Sequence, residues 1–347
     1  MQKKILLITK NYPPQIGGIE QYSYELNKTL SKSYSVILIK ANPRNINLEI
    51  NSKKNLIIHF LYLFSEVWRL LCFLKNCIYI GIKERNKVDI IWTCDGSLSG
   101  IGFFLGKIGR KKEIITVFHG KDLAWENKIY QKMIHYFCQQ QNSIRCVSKS
   151  IYNLAVLKWV PEKLLLLDEH KISNFSFPEI VHTDRNYLIE KYKISSEKIL
   201  LFSIGRFVEK KWFWWFIKTV LPKIDKNNFH YILVGYGPLL EQYKKDIKAL
   251  NIKNISIIWP IQDPLEKALF FKETDYFIMP NISTEGDFEW YGLVLLEAHH
   301  FWSKCIISDA DGLSERAWKK DEVLPQWKSD IWVNYLEKIA LDRFDID

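Results

Sequence analysis

The sequence predicts an α/β protein made of two parallel-sheet domains, and three observations carry that expectation. Short continuous apolar runs alternate with stretches of helical period, as buried parallel strands and their crossover helices do. The alternation breaks at a polar, irregular stretch from Ser173 to Asp184 and then starts again. The 347 residues are enough for two domains of ordinary size. The expected domains are 1–172 and 173–347, the second with its end crossing back to the first.

In chain order, Lys3 to Thr9 is an apolar run suited to a central strand. A loop with Pro13-Pro14 and Gly17-Gly18 follows, then a helical pattern from Ile19 to Leu30 with Tyr22, Leu26 and Leu30 four apart. Ser35 to Lys40 is the next strand candidate. Leu56 to Ile82 is rich in Leu, Ile, Phe and Tyr, but Glu66, Arg69 and Lys75 interrupt it. No uncharged run there reaches the roughly 18 residues of a membrane span, so a long buried or surface-lying amphipathic helix is expected. Strands should follow at 89–93, 113–118 and 144–147. In the second half, Ile199 to Gly205, Tyr231 to Gly235, Ile255 to Ile258, Tyr276 to Met279 and Cys305 to Ile307 repeat the pattern.

Composition narrows the partners. There are 49 Lys+Arg against 39 Asp+Glu, a formal charge of +10, which favours anionic ligands or an anionic surface. No helix-turn-helix, zinc or RNA-binding motif is present and the charge is spread, so nucleic acid is not the expected partner. The six cysteines form no Cys-x-x-Cys pair and lie mostly in apolar runs, as reduced thiols of a cytoplasmic protein do. The opening residues turn polar too soon for a signal peptide.

Ligands of parallel α/β sheets bind beyond the carboxyl ends of the strands. Candidate chemistry is therefore sought in the loops there. Gly17 and Gly18 between a strand and a helix would let a phosphate reach the helix N-terminus, or would simply make a tight turn needing positive φ. Arg206 and Lys211 could hold a diphosphate and stabilise its charge as it leaves, or could be a solvated basic turn. Glu289 and Glu297 flank a loop and a helix start. Carboxylates suit sugar hydroxyls, and the backbone N–H groups of Tyr291, Gly292 and Leu293 suit a phosphate. A hydrolase carboxylate pair is the competing reading. His119, between a strand and Gly120, is placed to meet a ligand or to serve structure. No His/Asp/Glu cluster has metal spacing, and the adjacent His299 and His300 would point apart on a helix, so no metal site and no cofactor are expected.

Six segments, in order, resemble the retaining family-four glycosyltransferases of the GT-B fold over nearly the whole chain. They are Tyr12-Pro-Pro-Gln-Ile-Gly-Gly-Ile-Glu, Phe118-His-Gly-Lys-Asp, Val147-Ser-Lys-Ser, Gly205-Arg-Phe-Val-Glu-Lys-Lys, Val234-Gly-Tyr-Gly-Pro, and Ser283-Thr-Glu-Gly-Asp-Phe-Glu-Trp-Tyr-Gly-Leu-Val-Leu-Leu-Glu-Ala. The resemblance implies two Rossmann-like domains facing across a cleft and a UDP-, GDP- or similar nucleotide-sugar donor. It implies a glycolipid, lipid-linked glycan or surface-polysaccharide acceptor, and transfer with retention and without metal. Gly17 and Gly18 would pass near the donor diphosphate, His119 would face the transferred sugar, and Arg206 and Lys211 would clamp the diphosphate. Glu289 would hold donor-sugar hydroxyls and Glu297 the ribose. A peripheral site at the inner face of the cell membrane is the expected location. A non-catalytic sugar-nucleotide or glycan-binding protein on the same fold is the alternative. The chain departs from the pattern at Trp212 and Trp302, which stand where the family has glycine, and at Pro260, where a glycine near the base is usual.

Overall fold

The computed structural model describes residues 2–15, 17–42, 56–109, 112–168, 177–178, 185–194, 197–261, 263–283, 292–310 and 313–344, with backbone alone at 56–61 and 121. These fall into two compact units, one ending at residue 168 and one beginning at 177. The expected boundary at 172/173 lies outside the described residues.

The first unit is a sheet of six parallel strands: β1 (Lys4–Thr9), β2 (Ser35–Lys40), β3 (Ile90–Thr93), β4 (Glu113–Phe118), β5 (Ser143–Cys146) and β6 (Leu165–Leu167). Their spatial order is β2-β1-β3-β4-β5-β6. Connections reverse direction between β1 and β3, the topological switch point where open α/β sheets bind ligands. The central strands are apolar on both faces because helices cover both. On one face Leu6, Ile8 and Ile91 pack with Phe73, Cys77, Leu98 and Leu105.

Phe73 and Cys77 belong to the long helix Leu56–Lys83. Its inner stripe, Arg69, Phe73, Cys77 and Gly81, recurs every four residues, the period that keeps one face turned inward. Gly81 permits the closest approach: a Cβ there would lie 2.5 Å from Leu105 Cδ2. Arg69 enters the buried side by pairing with Glu66 at 2.9 Å. The outer face is not the charged surface that a simple core helix would show. Phe64, Trp68, Leu71 and Tyr79 on it are each more than half exposed. No described helix is long and apolar enough to cross a membrane.

The second unit is again six parallel strands: β7 (Ile199–Arg206), β8 (Phe229–Tyr236), β9 (Ile255–Ile258), β10 (Tyr276–Met279), β11 (Cys305–Ser308) and β12 (Glu322–Leu324). Their order is β12-β11-β10-β7-β8-β9, the doubly wound dinucleotide-binding order, with its switch point between β7 and β10. Alternation along β7 divides the core. Leu201 faces Tyr231, Phe216 and Trp332, while Leu200 and Phe202 face Phe270, Leu295 and Ile307. β12 and the covering helix Ser329–Phe344 complete a sheet that the sequence pattern reveals only as far as β11.

Candidate functional site

In the second unit the strand ends around the switch point carry most of the candidate chemistry. β7 ends on Gly205 and Arg206 beside Gly235 of β8, with the two glycines in register. A Cβ on Gly235, at φ 148°, would lie 1.9 Å from the Gly205 carbonyl oxygen, so the close approach of these two strand ends requires glycine. Phe207, fully buried, donates its N–H to Tyr236 at 2.7 Å and locks the loop after β7 to the end of β8. The short 3-10 turn Glu209–Lys211 follows. Arg206 is exposed, whereas Lys211 is only 8 % exposed. Lys211 is therefore not a solvated surface lysine, and its stem runs beside Gly205. Across the switch point Ile282, after β10, donates its N–H to the Lys210 carbonyl at 3.0 Å.

Gly292, at φ 59°, is the left-handed entry to the helix Leu293–His300. Glycine is the residue that tolerates this conformation at no steric cost. Among the described residues no side chain caps this helix start, whose first N–H groups are of the kind that suit an anion. Glu297, one turn on, pairs through Oε1 with Lys267 Nζ at 2.5 Å. Its other oxygen, Oε2, is buried without a hydrogen-bond partner among the described residues. A carboxylate half-neutralised by a lysine and left with one unused acceptor suits a ligand hydroxyl. Lys267 lies on the helix Pro264–Glu273 and has no signal in the sequence, because its partner is 30 residues away. Glu289 and Tyr291 lie outside the described residues.

In the first unit the backbone at Gly17 is extended, at φ 169°, so a positive φ is not what glycine supplies there. Gly17 precedes the helix Gly18–Leu30, and a Cβ there would meet the carboxylate end of the Glu20 side chain at 2.2 Å, a group that can swing aside. His119 follows β4 and is 8 % exposed. Its Nε2–H donates to the Cys94 carbonyl at 2.8 Å, since a carbonyl can only accept. The Tyr22 ring lies edge-on to it with centroids 4.7 Å apart. Gly120 at φ 103° makes the turn that places this histidine at the strand end.

Asp122 organises the same corner. Its Oδ2 accepts the backbone N–H of His119 and of Gly96, both at 3.1 Å, and so joins the loops after β3 and β4. Burial, and next the neighbouring Asp95 carboxylate, push its carboxyl up to about 6. Lys10 reaches Asp95 at 3.5 Å and Ser97 at 2.5 Å. The first unit's switch point, between β1 and β3, thus holds a lysine and a buried aspartate beside His119. The sequence shows His119 with Asp122 three residues on, but Asp95, 27 positions before Asp122, gives no local pattern with them.

Residues 184–342 match the family described as glycosyl transferases group 1. The chain is 22% identical over 313 residues to the alpha-monoglucosyldiacylglycerol synthase of Streptococcus pneumoniae, covering 85% of this chain and 68% of that protein. It is 27% identical over 306 residues to an uncharacterised glycosyltransferase of Methanocaldococcus jannaschii, covering 79% and 74%. Among solved structures, HepE of Anabaena in complex with UDP and glucose superposes with a TM-score of 0.70 at 12% identity, covering 98% of this chain and 90% of that one. The catalytic domain of starch synthase IV from Arabidopsis thaliana, bound to ADP and acarbose, gives 0.69 at 12% identity, covering 100% and 93%.

Proposed function

We propose that this chain, a glycosyltransferase of the GT-B fold, moves a hexosyl unit from a nucleoside-diphosphate sugar to a glycolipid, lipid-linked glycan or surface-polysaccharide acceptor, with retention and without a catalytic metal. The observation that carries this reading is the second unit. Its switch point gathers a basic pair, a glycine-lined strand end and, among the described residues, a helix start without a side-chain cap and a carboxylate with one oxygen unpartnered, all inside the matched glycosyltransferase region. The nucleotides named in the solved relatives support a nucleotide donor.

In this reading Arg206 and Lys211 hold the diphosphate, and the N–H groups at Gly292 and Leu293 meet its oxygens. Glu297 accepts from the ribose, and Glu289 from the sugar. The bond between the anomeric carbon and the phosphate oxygen breaks, and the acceptor oxygen bonds to the same face. The acceptor's proton passes to the departing phosphate oxygen. The two cations stabilise the negative charge that grows on the leaving group, a role in which preorganised positive charge is most effective. His119, with Nε2 committed to the Cys94 carbonyl, would be the sugar-facing group of the first unit.

A lipid-linked acceptor is supported by the helix Leu56–Lys83. Its outer face exposes Phe64, Trp68, Leu71 and Tyr79, with exposed Lys75, Lys83, Arg85 and Lys87 on and beyond it. An apolar face accompanied by basic side chains suits an anionic bilayer surface. The curated relative named as a glucosyldiacylglycerol synthase points the same way. The test is a panel of UDP-, GDP- and ADP-sugars, with transfer and donor hydrolysis read by mass spectrometry for the wild type and Arg206→Ala. One donor should turn over in the wild type and hardly at all in the variant. Donor binding with no turnover of any kind would establish a binding protein instead.

A further inference from the structure

We propose that His299, Cys305 and Asp321 form a structural zinc site in the second unit. His299 is the penultimate residue of the helix Leu293–His300, Cys305 opens β11, and Asp321 lies in the turn before β12. Adjacent in neither sequence nor pattern, they converge so that one ligand atom from each lies within 4.8 Å of the others. His299 is fully buried, Cys305 is 2% exposed, and the Asp321 side chain is fully buried. His299 Nε2 meets Asp321 Oδ2 at 2.7 Å. Among the described residues Asp321 Oδ1 is buried and makes no hydrogen bond of ordinary geometry, and the Cys305 thiol lies beside the carboxylate.

The donor set fits the ion. Nitrogen, sulfur and carboxylate oxygen are the ligand types zinc takes, and a tetrahedral ion separates them by roughly 3–4 Å. A carboxylate bound through both oxygens supplies the fourth position and gives Oδ1 its partner. Thiolate, carboxylate and neutral imidazole around a divalent cation sum to zero charge, so the filled site needs no further counter-ion in the interior. The cysteine proton leaves to solvent as the ion enters. Asp321 is already oriented from behind, because Oδ2 accepts the Trp318 N–H at 2.6 Å, the kind of outer contact that aims a metal ligand. The ion would tie the far end of the helix carrying Glu297 to β11 and the turn before β12. It would touch no substrate.

The experiment is cobalt titration of chelator-treated protein under native conditions, with zinc affinity measured by competition with a chromophoric chelator. Wild type should give a thiolate-to-cobalt charge-transfer band at one equivalent, displaced by zinc. Cys305→Ser, nearly isosteric, should keep the native circular dichroism, lose the band and bind zinc at least tenfold more weakly. Absence of the band in wild type, or equal zinc affinity in the variant, would overturn the proposal.

A different observation carries a second inference. Of the six non-glycine residues with positive φ among the described residues, four are tryptophan: Trp159, Trp212, Trp302 and Trp327, at φ 54° to 65°. Tryptophan supplies only 13 of the 347 residues. Two of the four occupy the residue after a helix C-cap with both bonds of a Schellman motif. Trp159 N donates to Val156 and Val160 N to Ala155, both at 3.0 Å, and Trp302 N donates to His299 at 3.0 Å and Ser303 N to Ala298 at 2.9 Å. That position is ordinarily glycine. Trp159, Trp302 and Trp327 are 81%, 74% and 57% exposed. Trp332, by contrast, is fully buried in a right-handed helix and donates its indole N–H to Pro325 at 3.0 Å.

We infer that 159, 212, 302 and 327 are glycine positions, encoded by one codon that different genetic codes assign to tryptophan or to glycine. Peptide mass spectrometry of the protein isolated from its source cells decides. Glycine at these four positions, with tryptophan at 332, is the expected result; tryptophan at all five would refute the inference.

Discussion

Trp159 offers a clean measurement of backbone strain. It is the left-handed residue that ends the helix Lys149–Leu157, and 81% of its surface is in water. Holding a side chain with a Cβ in that conformation costs about 1–2 kcal/mol. Glycine removes that cost but gains freedom in the unfolded chain, which returns about 0.4–1 kcal/mol. The exposed indole contributes little burial to lose. Trp159→Gly should therefore stabilise the first unit by roughly 0.5–1 kcal/mol. Trp159→Ala keeps the Cβ and the strain, and should gain nothing. As a control, Trp332→Ala should cost about 3–5 kcal/mol, the usual figure for emptying a large buried site. Urea unfolding followed by circular dichroism, with the denaturant slope checked for constancy, reads all three. Destabilisation in Trp159→Gly, or equal gains in the glycine and alanine variants, would show that the left-handed backbone is not strained.

Other expectations are simpler to state. Arg206→Ala and Lys211→Ala should each lower transfer by about tenfold to a hundredfold, the loss of a charge-assisted contact worth ~1.5–3 kcal/mol, and Lys211→Arg should not restore the rate; unchanged steady-state kinetics would remove both from the site. Glu297→Ala should weaken donor binding by a similar factor in calorimetry, whereas Glu289→Ala should mainly lower turnover; wild-type values for both would end the assignment. Transfer should proceed without added magnesium or manganese, and a strict dependence on either would refute the role given to the basic pair. Asp122 has a folded pKa near 6 against 3.8 for the free side chain, so the folded state holds an extra proton between those values. Stability should fall as pH rises from about 4 to about 6, and Asp122→Asn should flatten that part of the profile; an unaltered profile would place the titration elsewhere. Sedimentation with anionic vesicles at low salt should exceed that with zwitterionic ones, and absence of binding to both would remove the membrane from the acceptor reading.

How much of this was legible in the sequence depends on the range of the interaction. Strands such as Lys4–Thr9 and Ile199–Arg206 are visible because burial on both faces imposes a local apolar run. β12 is only three residues long, Glu-Val-Leu, too short to leave a period, and it exists because β11 offers it an edge. Gly292 and Leu293 could be placed at a helix start because glycine followed by an apolar helical pattern is a local signal. Lys267 opposite Glu297, Asp122 between two loops, and His299 beside Cys305 and Asp321 could not, since each depends on crossovers that bring distant strand ends together. The helix Leu56–Lys83 shows the limit from the other side. Its apolar character and its inner stripe follow from the sequence, but that Phe64, Trp68, Leu71 and Tyr79 on the outer face stand in solvent shows only in the folded unit. The tryptophans make the same point about backbone. Trp212 and Trp302 read in the sequence as departures from a family pattern, and only the φ angles show that the conformation demanded there is still the one that glycine adopts.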